Sequence, residues 1–355
     1  MNSDFAHLIE SWDGLGVVTR FDAPTGAWIF ICLHNPKLGP CTGGTRMKIY
    51  DSLDEGLEDA MRLAEGMTSK WASIRVNFGG GKAVIALDHP VEGSEREGLL
   101  RRYGVLIRSL NGAFRTGEDL GTTSDDMTVI AKETAYVHGF HPETGEKVDP
   151  SPYTAQGVFS GLKSAVEVVF GSTDLADRTV LIQGPGNVGS NLGRLLRQAG
   201  ARLIISDIDA DRARIAAQEL DGSIVSPEEV YATECDVYAP CAVGATLNKE
   251  TIPQLRCRIV AGSANNQLRH LADADRLLER GIVYAPDYVL NAGGALSFAL
   301  MDQGLGDHDA LLAKTEIIGQ MIGEILREAE SNGTSPVFAA QRRVEAVLSP
   351  DSDDG

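Results

Sequence analysis

The stretch that decides the fold is "TVLIQGPGNVGSNLGRLL" (179–196), where an apolar run leads into a glycine-rich turn and then into a helical pattern. The turn has the spacing G-x-G-x-x-G at Gly184, Gly186 and Gly189. Between a strand and a helix, this spacing predicts a dinucleotide-binding turn. The first glycine allows the turn, the second lets the backbone approach a pyrophosphate, and the third allows close helix–strand packing. The amides of the helix N-terminus then face the phosphates. We therefore expect cofactor contacts along the whole turn, at Gly184, Pro185, Gly186, Asn187, Val188 and Gly189.

The following strand indicates which dinucleotide is bound. "ARLIISD" ends at Asp207, about 20 residues beyond Gly184, where a carboxylate holds the ribose hydroxyls of NAD and repels the 2′-phosphate of NADP. Ile208 and Arg212 follow and are expected to contact the cofactor as well. Arg212 and Arg214 are cations that suit a 2′-phosphate, so NADP remains an alternative, but the sequence favours NAD.

Strand-like and helix-like runs alternate around this turn. The strands are "TVLIQ", "ARLIISD", "CDVYAP", "CRIVAGS" and "GIVYAPD", with helical patterns between several of them. The alternation predicts a doubly wound parallel sheet, and we place a Rossmann domain at 151–334. We also expect a long helix from about Asp309 to Glu330 and a last helix at 335–348 that packs back on the first domain.

Residues 1–150 follow a different pattern. "LGVVTRFD" and "AWIFICLH" are strand-like runs around the turn "APTG", and an apolar helical stripe runs from Leu53 to Ile74. Proline, glycine and charged residues concentrate at 137–153, the expected linker. The sequence therefore predicts an α/β protein of two domains, the first with a mixed sheet, and a disordered tail at 349–355.

The bulk composition excludes several classes of protein. The 355 residues carry a formal net charge of −18, which repels nucleic acid and anionic membranes. No apolar run reaches the ~20 residues of a membrane span, and no secretory signal pattern is visible. The five cysteines form no C-x-x-C pair, which argues against a disulfide framework or a metal site. We expect a cytoplasmic protein with no metal, nucleic-acid or membrane partner.

A second glycine-rich stretch, "NFGGGKAVIAL" (77–87), contains Lys82. It is not a phosphate-binding loop of the G-x-x-x-x-G-K-[ST] type, because Val76 replaces the first glycine and Ala83 replaces the hydroxyl residue. The glycines are either a plain turn before a strand or a backbone surface against which a substrate lies beside the amine. Residues alone do not decide between these alternatives.

Two further charged residues stand out, each with an ordinary structural explanation beside a functional one. Lys70 shares the apolar stripe of the helix predicted from Leu53 to Ile74, where lysine often lies at the edge with its amine in solvent. Asp119, in "RTGEDLGTT", reads on its own as a turn or cap residue. The two residues gain significance only if the fold brings them to Lys82.

The chain as a whole resembles the glutamate/leucine/phenylalanine/valine dehydrogenase family, most closely its leucine and phenylalanine branch. The resemblance runs from about Val17 to Leu348 and rests on specific motifs in a fixed order. These are "LGPCTGGTRM" (38–47), "GMTSKWA" (66–72), "GGGKAVI" (79–85), "GEDLGTT" (117–123), "SPYTAQGV" (151–158), "QGPGNVG" (183–189), "APCAVGATLN" (239–248), "AGSANNQL" (261–268) and "YAPDYVLNAGG" (284–294).

The resemblance implies an activity, a site and an assembly. The family converts L-amino acids into 2-oxo acids and ammonia with a nicotinamide dinucleotide, in a cleft between its two domains, and the enzymes are oligomers. By motif, Lys82 resembles the catalytic lysine that activates water, and Asp119 the carboxylate that exchanges protons with the amino group. Lys70 resembles the lysine that binds the substrate α-carboxylate. We thus expect a homo-oligomer with a substrate and oligomerisation domain at 1–150.

Other site residues follow from the same motifs. The implied substrate contacts, besides Lys70, are Gly43, Gly44, Met67, Gly117, Asn266 and Ala295. The implied cofactor contacts, besides the glycine turn and the Asp207 region, are Arg46, Thr154, Cys241, Ala242, Ala264, Asn265 and Asn291.

Three positions bear on the substrate side chain. Thr42 stands where glutamate enzymes have a lysine for the side-chain carboxylate, so the resemblance indicates an apolar substrate. Gly117 stands where leucine enzymes usually have alanine and phenylalanine enzymes tend to have glycine, and Ala295 departs from the usual leucine-type pattern. A branched aliphatic substrate (leucine or valine) is favoured, and an aromatic one (phenylalanine or tryptophan) is the alternative.

Two other functions remain open from the residues. A non-catalytic NAD- or metabolite-binding protein does not need two lysines and an aspartate in one site. A 2-hydroxy-acid dehydrogenase needs a histidine paired with a carboxylate, and none of the seven histidines lies in such a motif. His138 and His141 fall in the predicted linker and are expected to be solvated.

Overall fold

The computed structural model describes residues 4–349 and divides into two compact units. The first comprises the chain up to Val148 together with the C-terminal end from Val347, and the second is Asp149–Ala346. The boundary falls within 137–153, the stretch that the sequence marks as a linker. Residues 350–355 lie outside the described part, so the disorder expected of the tail stays a prediction.

The first unit contains, within residues 4–148, four helices and six strands. In chain order they are α1 (Asp4–Ser11), β1 (Gly16–Asp22), β2 (Ala27–Asn35), β3 (Cys41–Thr42), β4 (Thr45–Ile49), α2 (Leu53–Ser73), β5 (Gly79–Leu87), α3 (Gly93–Ser109), β6 (Phe114–Arg115) and α4 (Ser124–Ala131).

The strands of this unit form one mixed sheet, as the sequence predicts. Its order is β1-β2-β5-β3-β6, with β4 also paired to β5. The hairpin β1–β2 and the pair β2–β5 are antiparallel, whereas β3 and β4 run parallel to β5. Because β3 pairs with residues 79–80 and β4 with 83–87, the ladder is interrupted between Thr42 and Thr45, opposite Gly81 and Lys82.

Strand β5 is buried along all nine residues and separates two apolar clusters. Its alternating side chains place Val84 and Ala86 against α2, and Ala83 and Ile85 in the cluster that includes residues of α3 and α4. By the same alternation, Lys82 faces the α2 side.

Helix α2 begins where the sequence predicts. The hydroxyl of Ser52 accepts a hydrogen bond from the Glu55 amide at 3.2 Å, which satisfies one of the amides at the helix start. The helix presents a buried stripe toward the sheet, and Lys70 lies in its last turn, half-buried.

The second unit alternates strands and helices. Its elements are α5 (Ser151–Phe170), β7 (Thr179–Gln183), α6 (Asn187–Gln198), β8 (Arg202–Ser206), α7 (Ala210–Leu220), β9 (Ser223–Ile224), β10 (Val237–Pro240), β11 (Ile259–Val260), α8 (Ala272–Glu279), β12 (Val283–Tyr284), α9 (Asp287–Leu290), α10 (Gly293–Asp302), α11 (His308–Thr315), α12 (Ile317–Asn332) and α13 (Pro336–Leu348).

All strand pairs of this unit are parallel, in the order β12-β11-β10-β7-β8-β9. Counted from β7, this is the 3-2-1-4-5-6 order of a doubly wound dinucleotide-binding sheet. The predicted Rossmann sheet is therefore confirmed, and β7 with its glycine turn lies at the point where the order reverses.

The structure corrects one expectation near the C-terminus. The helix expected from Asp309 to Glu330 is interrupted at Glu316, between α11 and α12. The last helix, expected at 335–348, runs from Pro336 to Leu348. Its residues up to Ala346 belong to the second unit, where Val337 is buried in the apolar cluster around β10 and β11, and its last two residues belong to the first. That this helix packs back on the first domain stays a prediction.

Among residues 4–349, no helix combines the length and the apolar composition that crossing a bilayer requires.

Candidate active site and dinucleotide site

The first candidate site is built around Lys82, whose side chain is only 6% exposed. It lies on the central strand β5, opposite Cys32 of β2. On the other side of β5, the interruption between β3 and β4 places the segment Gly43–Gly44 next to it, and the Ala83 amide donates to the Gly44 carbonyl at 3.3 Å. A buried amine on a central strand has little freedom to move, so its surroundings define its chemistry.

The loop that carries Asp119 is fastened along strand β4. The Thr45 amide donates to the Gly117 carbonyl at 2.8 Å, and the Met47 amide to the Leu120 carbonyl at 2.9 Å. The hydroxyl of Thr122 donates to the Thr45 carbonyl at 2.8 Å. These bonds fix the backbone on both sides of Asp119. The aspartate is therefore held in a defined position against β4, and it is not simply a turn residue, as its sequence context suggests.

Two glycines allow this close approach. A Cβ on Gly44 would lie 2.5 Å from the Glu118 carbonyl oxygen and 3.0 Å from Cβ of Asp119. Gly121 has φ +80° and a Cβ there would lie 1.7 Å from the Met47 carbonyl oxygen. Side chains at either position would push the aspartate loop away from β4.

Lys82 and Asp119 form a buried ion pair. Nζ of Lys82 lies 2.9 Å from one carboxylate oxygen of Asp119, and Nε of Arg46 lies 2.9 Å from the other. Burial alone raises the pKa of Asp119, but the positive charges and hydrogen bonds of Lys82 and Arg46 outweigh it and hold the pKa well below its usual range. The aspartate is therefore ionised, with an amine on one oxygen and a guanidinium on the other.

A second carboxylate lies behind the first. Asp59 of α2 accepts hydrogen bonds from Arg46 at 3.0 Å, from the Tyr50 hydroxyl at 2.7 Å and from Arg62 at 2.7 Å. Although burial raises the pKa of Asp59, these donors bring it below the ordinary value. Arg46 thus bridges two aspartates within the first unit, which is where the structure places this residue expected to contact the cofactor.

The end of α2 carries the other expected substrate residues. Nε1 of Trp71 donates to the Thr42 carbonyl at 2.9 Å, which ties the last turn of α2, with Lys70, to the strand that precedes Gly43. Met67 is half-buried, and its Cγ lies 3.1 Å from where a Cβ on Gly43 would stand. Met67 therefore lies beside Gly43, and Lys70 follows Met67 by three residues on the same helix.

The three glycines before Lys82 have a packing role that the sequence did not show. A Cβ on Gly79 would lie 2.4 Å from the Asn35 carbonyl oxygen, one on Gly80 1.8 Å from Oγ1 of Thr68, and one on Gly81 2.9 Å from Cβ of Cys41. They are needed because the strand lies so close to α2 and to neighbouring backbone.

Gly117 borders open space beside a buried histidine. A Cβ on Gly117 would meet only Cβ of His138, at 3.8 Å, an ordinary contact distance. His138 is 6% exposed and its ring meets Phe78 edge-on, with centroids 5.5 Å apart. The expectation that His138 is solvated is therefore wrong. Val137 forms a parallel bridge with Thr116, and the His138 amide donates to the Thr116 carbonyl at 2.7 Å.

The second candidate site is the glycine turn after β7. Gly184 has φ +91° and a Cβ there would lie 2.5 Å from Cβ of Ala242, while one on Gly189 would lie 2.3 Å from the Gly184 carbonyl oxygen. At Gly186, by contrast, a Cβ would meet nothing within 4 Å. Gly186 precedes α6 and provides no side chain that could cap the amides at the start of this helix.

The Asp207 region follows β8. The Asp207 side chain is 5% exposed and accepts a hydrogen bond from the Asp209 amide at 2.9 Å. Arg212 lies 3.4 Å from its carboxylate and also reaches Asp209, at 3.5 Å. Ile208 is 92% exposed. Arg212 is therefore engaged with two carboxylates of its own unit.

The remaining expected cofactor residues cluster after β10, after β11 and around α9. Nδ2 of Asn291 donates to the Asn265 side chain at 2.8 Å and to the Ser263 carbonyl at 3.1 Å. Cys241 donates its amide to the Gln183 carbonyl at 2.7 Å, which brings it beside the turn. Thr154 lies beside Gly294, which precedes Ala295. Ala264 is buried, whereas Asn266, which is expected to contact the substrate, is exposed with φ +51°.

These features fit a nicotinamide dinucleotide. Oδ1 of Asn291 is buried and accepts no hydrogen bond from any residue of 4–349, so it can take the N–H of a carboxamide. The open space at Gly186 and the helix start suit a pyrophosphate. Asp207 stands where a ribose is held in this fold.

Comparisons with known proteins identify the family of this chain. The sequence profile described as "Glu/Leu/Phe/Val dehydrogenase, dimerisation domain" matches residues 25–136, and "Glutamate/Leucine/Phenylalanine/Valine dehydrogenase" matches residues 205–308. Leucine dehydrogenase of Bacillus cereus is 43% identical over 346 residues, covering 97% of this chain and 93% of that protein. The chain belongs to the Glu/Leu/Phe/Val dehydrogenase family.

Further relatives of this amino-acid dehydrogenase are named as dehydrogenases of aromatic amino acids. Phenylalanine dehydrogenase of Lysinibacillus sphaericus is 41% identical over 333 residues, 92% of this chain and 86% of that protein. The crystal structure of L-tryptophan dehydrogenase from Nostoc punctiforme matches with a TM-score of 0.81 and 35% identity, covering 97% of this chain and 98% of that one. The two-domain fold and the oxidoreductase class expected from the motifs are confirmed.

Sequence reasoning about this dehydrogenase missed Asp59 and Tyr50. Asp59 is a helix carboxylate with another acid beside it, Glu58, and such a pattern is typical of solvated surface. The signal that could have found it is its place on the stripe of α2 between Leu57 and Ala60, both fully buried.

Proposed function

We propose that this dehydrogenase deaminates an apolar L-amino acid oxidatively to its 2-oxo acid and ammonia, reversibly, with NAD. The observation that carries the proposal is the buried pair of Lys82 and Asp119, with the two charged groups 2.9 Å apart in a unit where the lysine of glutamate enzymes is replaced by Thr42. A sensor of NAD would gain nothing from a buried amine and carboxylate that cost desolvation.

The proposed chemistry assigns one task to each charged side chain. Lys70 binds the α-carboxylate of the substrate. Asp119 takes a proton from the amino group. Lys82, once its ammonium group has released a proton and is a neutral amine, takes a proton from the water that attacks the imine carbon. When bound, the nicotinamide accepts the hydride that leaves Cα. Hydroxide adds to the imine carbon, and transfer of the hydroxyl proton to the nitrogen releases ammonia and leaves the 2-oxo acid. Asp119 and Lys82 then give up their two protons to ammonia and solvent.

The cofactor is proposed to lie on the glycine turn, with its ribose on Asp207 and its carboxamide on Asn291. The Asp207 carboxylate, 5% exposed, disfavours a 2′-phosphate at this position. Arg212, which is already paired with Asp207 and Asp209, is less available to a phosphate than its sequence position suggests. These contacts support NAD over NADP.

The substrate side chain is proposed to be branched aliphatic, with Gly43, Gly44, Met67, Gly117, Asn266 and Ala295 near the substrate. The identity with leucine dehydrogenases supports this assignment. An aromatic substrate is the second candidate, because the open space at Gly117 accommodates a larger side chain and the chain also matches phenylalanine and tryptophan dehydrogenases.

We also propose a homo-oligomer that works in the cytoplasm. The profile that matches residues 25–136 is described as a dimerisation domain. Five free cysteines, three of them buried, suit a reducing compartment.

A substrate panel tests the proposal. Purified protein is assayed at alkaline pH with leucine, valine, phenylalanine, tryptophan and glutamate, each with NAD and with NADP, by absorbance at 340 nm. We expect turnover with apolar substrates and NAD, and none with glutamate. Absence of turnover with every apolar amino acid and 2-oxo acid would overturn the proposed function, and a preference for NADP would overturn the cofactor assignment.

A further inference from the structure

We infer that Arg46 is a positioning residue for Asp119: anchored by Asp59 and Tyr50, it holds the carboxylate so that one oxygen faces Lys82. The inference rests on the proposed catalytic role of Asp119. It concerns side chains of the first unit that are not themselves expected to touch the reacting atoms.

The geometry forms a continuous chain of contacts. Oδ1 of Asp119 faces Nζ of Lys82 at 2.9 Å, and Oδ2 accepts from Nε of Arg46 at 2.9 Å. A different nitrogen of Arg46, Nη1, reaches both oxygens of Asp59, at 3.0 and 3.3 Å. Because one planar guanidinium spans two carboxylates, the orientation of Asp59 sets that of Asp119.

The far end of this chain is fixed to regular structure. Asp59 lies on α2, three residues before Arg62, which donates to it at 2.7 Å, and Tyr50 follows strand β4 and donates at 2.7 Å. The side chains of Arg46 and Asp59 are 17% and 12% exposed, so solvent does little to loosen their contact. Asp119 itself stands on a loop, and loops need such support to hold a reacting group to within a fraction of an ångström.

Positive and negative side chains alternate along this chain of contacts. Lys82, Arg46 and Arg62 are positive, whereas Asp119 and Asp59 are negative, and these groups come from β5, β4, α2 and the Asp119 loop. Tyr50 also meets this chain of contacts, and burial together with its bond to Asp59 raises its pKa, so it stays a neutral donor. Without Asp59, Arg46 would pair with Asp119 alone, and its positive charge would be only partly balanced at the site.

This arrangement differs in its consequences from a cofactor contact by Arg46. A cofactor ligand would be needed for binding the dinucleotide, so its loss would weaken NADH affinity. A positioning residue would be needed for turnover, so its loss would lower kcat while NADH binds as before.

The experiment uses Asp59→Asn, Tyr50→Phe, Arg46→Lys and Arg46→Gln in the full-length enzyme. For each variant, kcat and KM are measured across pH, the Kd of NADH is measured by fluorescence, and folding is checked by thermal unfolding. Asp22→Asn is the matched control, because it breaks another buried aspartate–arginine pair of the same unit, with Arg102 at 2.6 Å.

We expect Asp59→Asn to lower kcat on the order of 10²-fold, the loss that follows from a small misplacement of a reacting group. Tyr50→Phe, which removes one hydrogen bond from a neutral donor and no charge, lowers it by about fivefold. Arg46→Lys retains the charge but cannot span both carboxylates, so it restores only part of the kcat lost in Arg46→Gln. All four bind NADH with a Kd close to that of the wild type.

The pH profile gives a readout that a purely structural role would not move. Loss of the positive charge in Arg46→Gln shifts the acid limb of kcat/KM to higher pH, and loss of the negative charge in Asp59→Asn shifts it to lower pH, each by roughly one unit. Arg46→Lys leaves the limb in place. Asp22→Asn lowers thermal stability and leaves both kcat and the pH profile unchanged.

The inference is overturned if Asp59→Asn and Tyr50→Phe both fold and keep the kcat and the pH profile of the wild type. It is also overturned if the Arg46 variants raise the Kd of NADH tenfold while their kcat is unchanged. If Asp59→Asn does not fold, Tyr50→Phe alone decides by its kcat. Failure of the proposed function is a separate outcome, since it appears as an inactive wild type.

Discussion

The two candidate sites of this enzyme are built on opposite principles. The site in the first unit consists of charged side chains, with Lys82, Arg46 and two aspartates packed into a space where each charge meets an opposite one. The site in the second unit consists of backbone, and what matters at Gly184 and Gly189 is that no side chain is present.

The difference teaches what each site can tolerate. Buried charges must be balanced. Removing one leaves its partner as an uncompensated charge in the protein interior, which changes both the chemistry and the stability. A turn made of backbone depends on shape, so an added methyl group destabilises the fold where it collides with other atoms and leaves the fold stable where space is open. The predictions below use this contrast.

The largest effect is expected for Asp119→Asn. The change leaves Lys82 and Arg46 without their shared counter-charge and removes the proposed proton acceptor. We expect kcat to fall on the order of 10³-fold. The free energy of unfolding should fall by about 3 kcal/mol, because two buried cations lose their partner. Steady-state kinetics and urea unfolding measure the two quantities, and retention of half the wild-type kcat would contradict the proposed role.

A smaller effect, confined to the cofactor, is expected for the glycine turn. Gly189→Ala places a methyl group 2.3 Å from the Gly184 carbonyl oxygen, so it should lower the melting temperature and weaken NADH binding by tenfold or more, roughly 1.4 kcal/mol per factor of ten. Gly186→Ala meets no atom within 4 Å and is the matched comparison. It should weaken NADH binding while the melting temperature stays at the wild-type value, and equal melting losses in both variants would argue against this account.

Gly117→Ala should change substrate preference and little else. The added methyl group has an ordinary 3.8 Å contact with His138, so the protein should remain as stable as the wild type. It takes up space proposed for the substrate side chain and should shift the ratio of kcat/KM for leucine over phenylalanine upward by about tenfold, as a methyl group in a pocket does. If the leucine-to-phenylalanine ratio of kcat/KM is unchanged, Gly117 does not line the pocket for the substrate side chain.

The smallest effect concerns acid stability. Asp22, Asp59, Asp119 and Asp126 all lie in the first unit, and although burial raises the pKa of each, their cationic partners and hydrogen bonds lower it below the ordinary value. Carboxylates with a lowered folded pKa stabilise the protein fully above their unfolded pKa of about 4, and this stabilisation is lost as the pH falls below it. We expect hydrogen exchange to show the first unit opening before the second on acidification, with the difference reduced in Asp22→Asn.

The second site was readable from the sequence because its determinants are local. One βαβ unit contains, in chain order, the strand, the glycines, the helix and Asp207. The parallel sheet around them follows from the alternation of strands and helices in this half of the chain. For the first site, the motifs supplied Lys82 and Asp119, but their contact depends on the interruption between β3 and β4 and on two glycines that let a loop lie against β4.

Residues that the sequence misjudged share one property: their environment is made by distant segments. Asp59 looks like a surface acid until Arg46 and Tyr50 are packed against α2. His138 lies in a stretch rich in turn residues, yet its ring is buried against Phe78.

Lys82→Ala tests the central claim most directly, with Lys132→Ala, an exposed lysine of the same unit, as control. The account predicts that turnover of apolar amino acids falls by 10³-fold or more while the Kd of NADH stays within about twofold of the wild type, because catalysis and dinucleotide binding reside in separate sites. Wild-type turnover in Lys82→Ala, or a loss of NADH affinity in step with the loss of turnover, would contradict it.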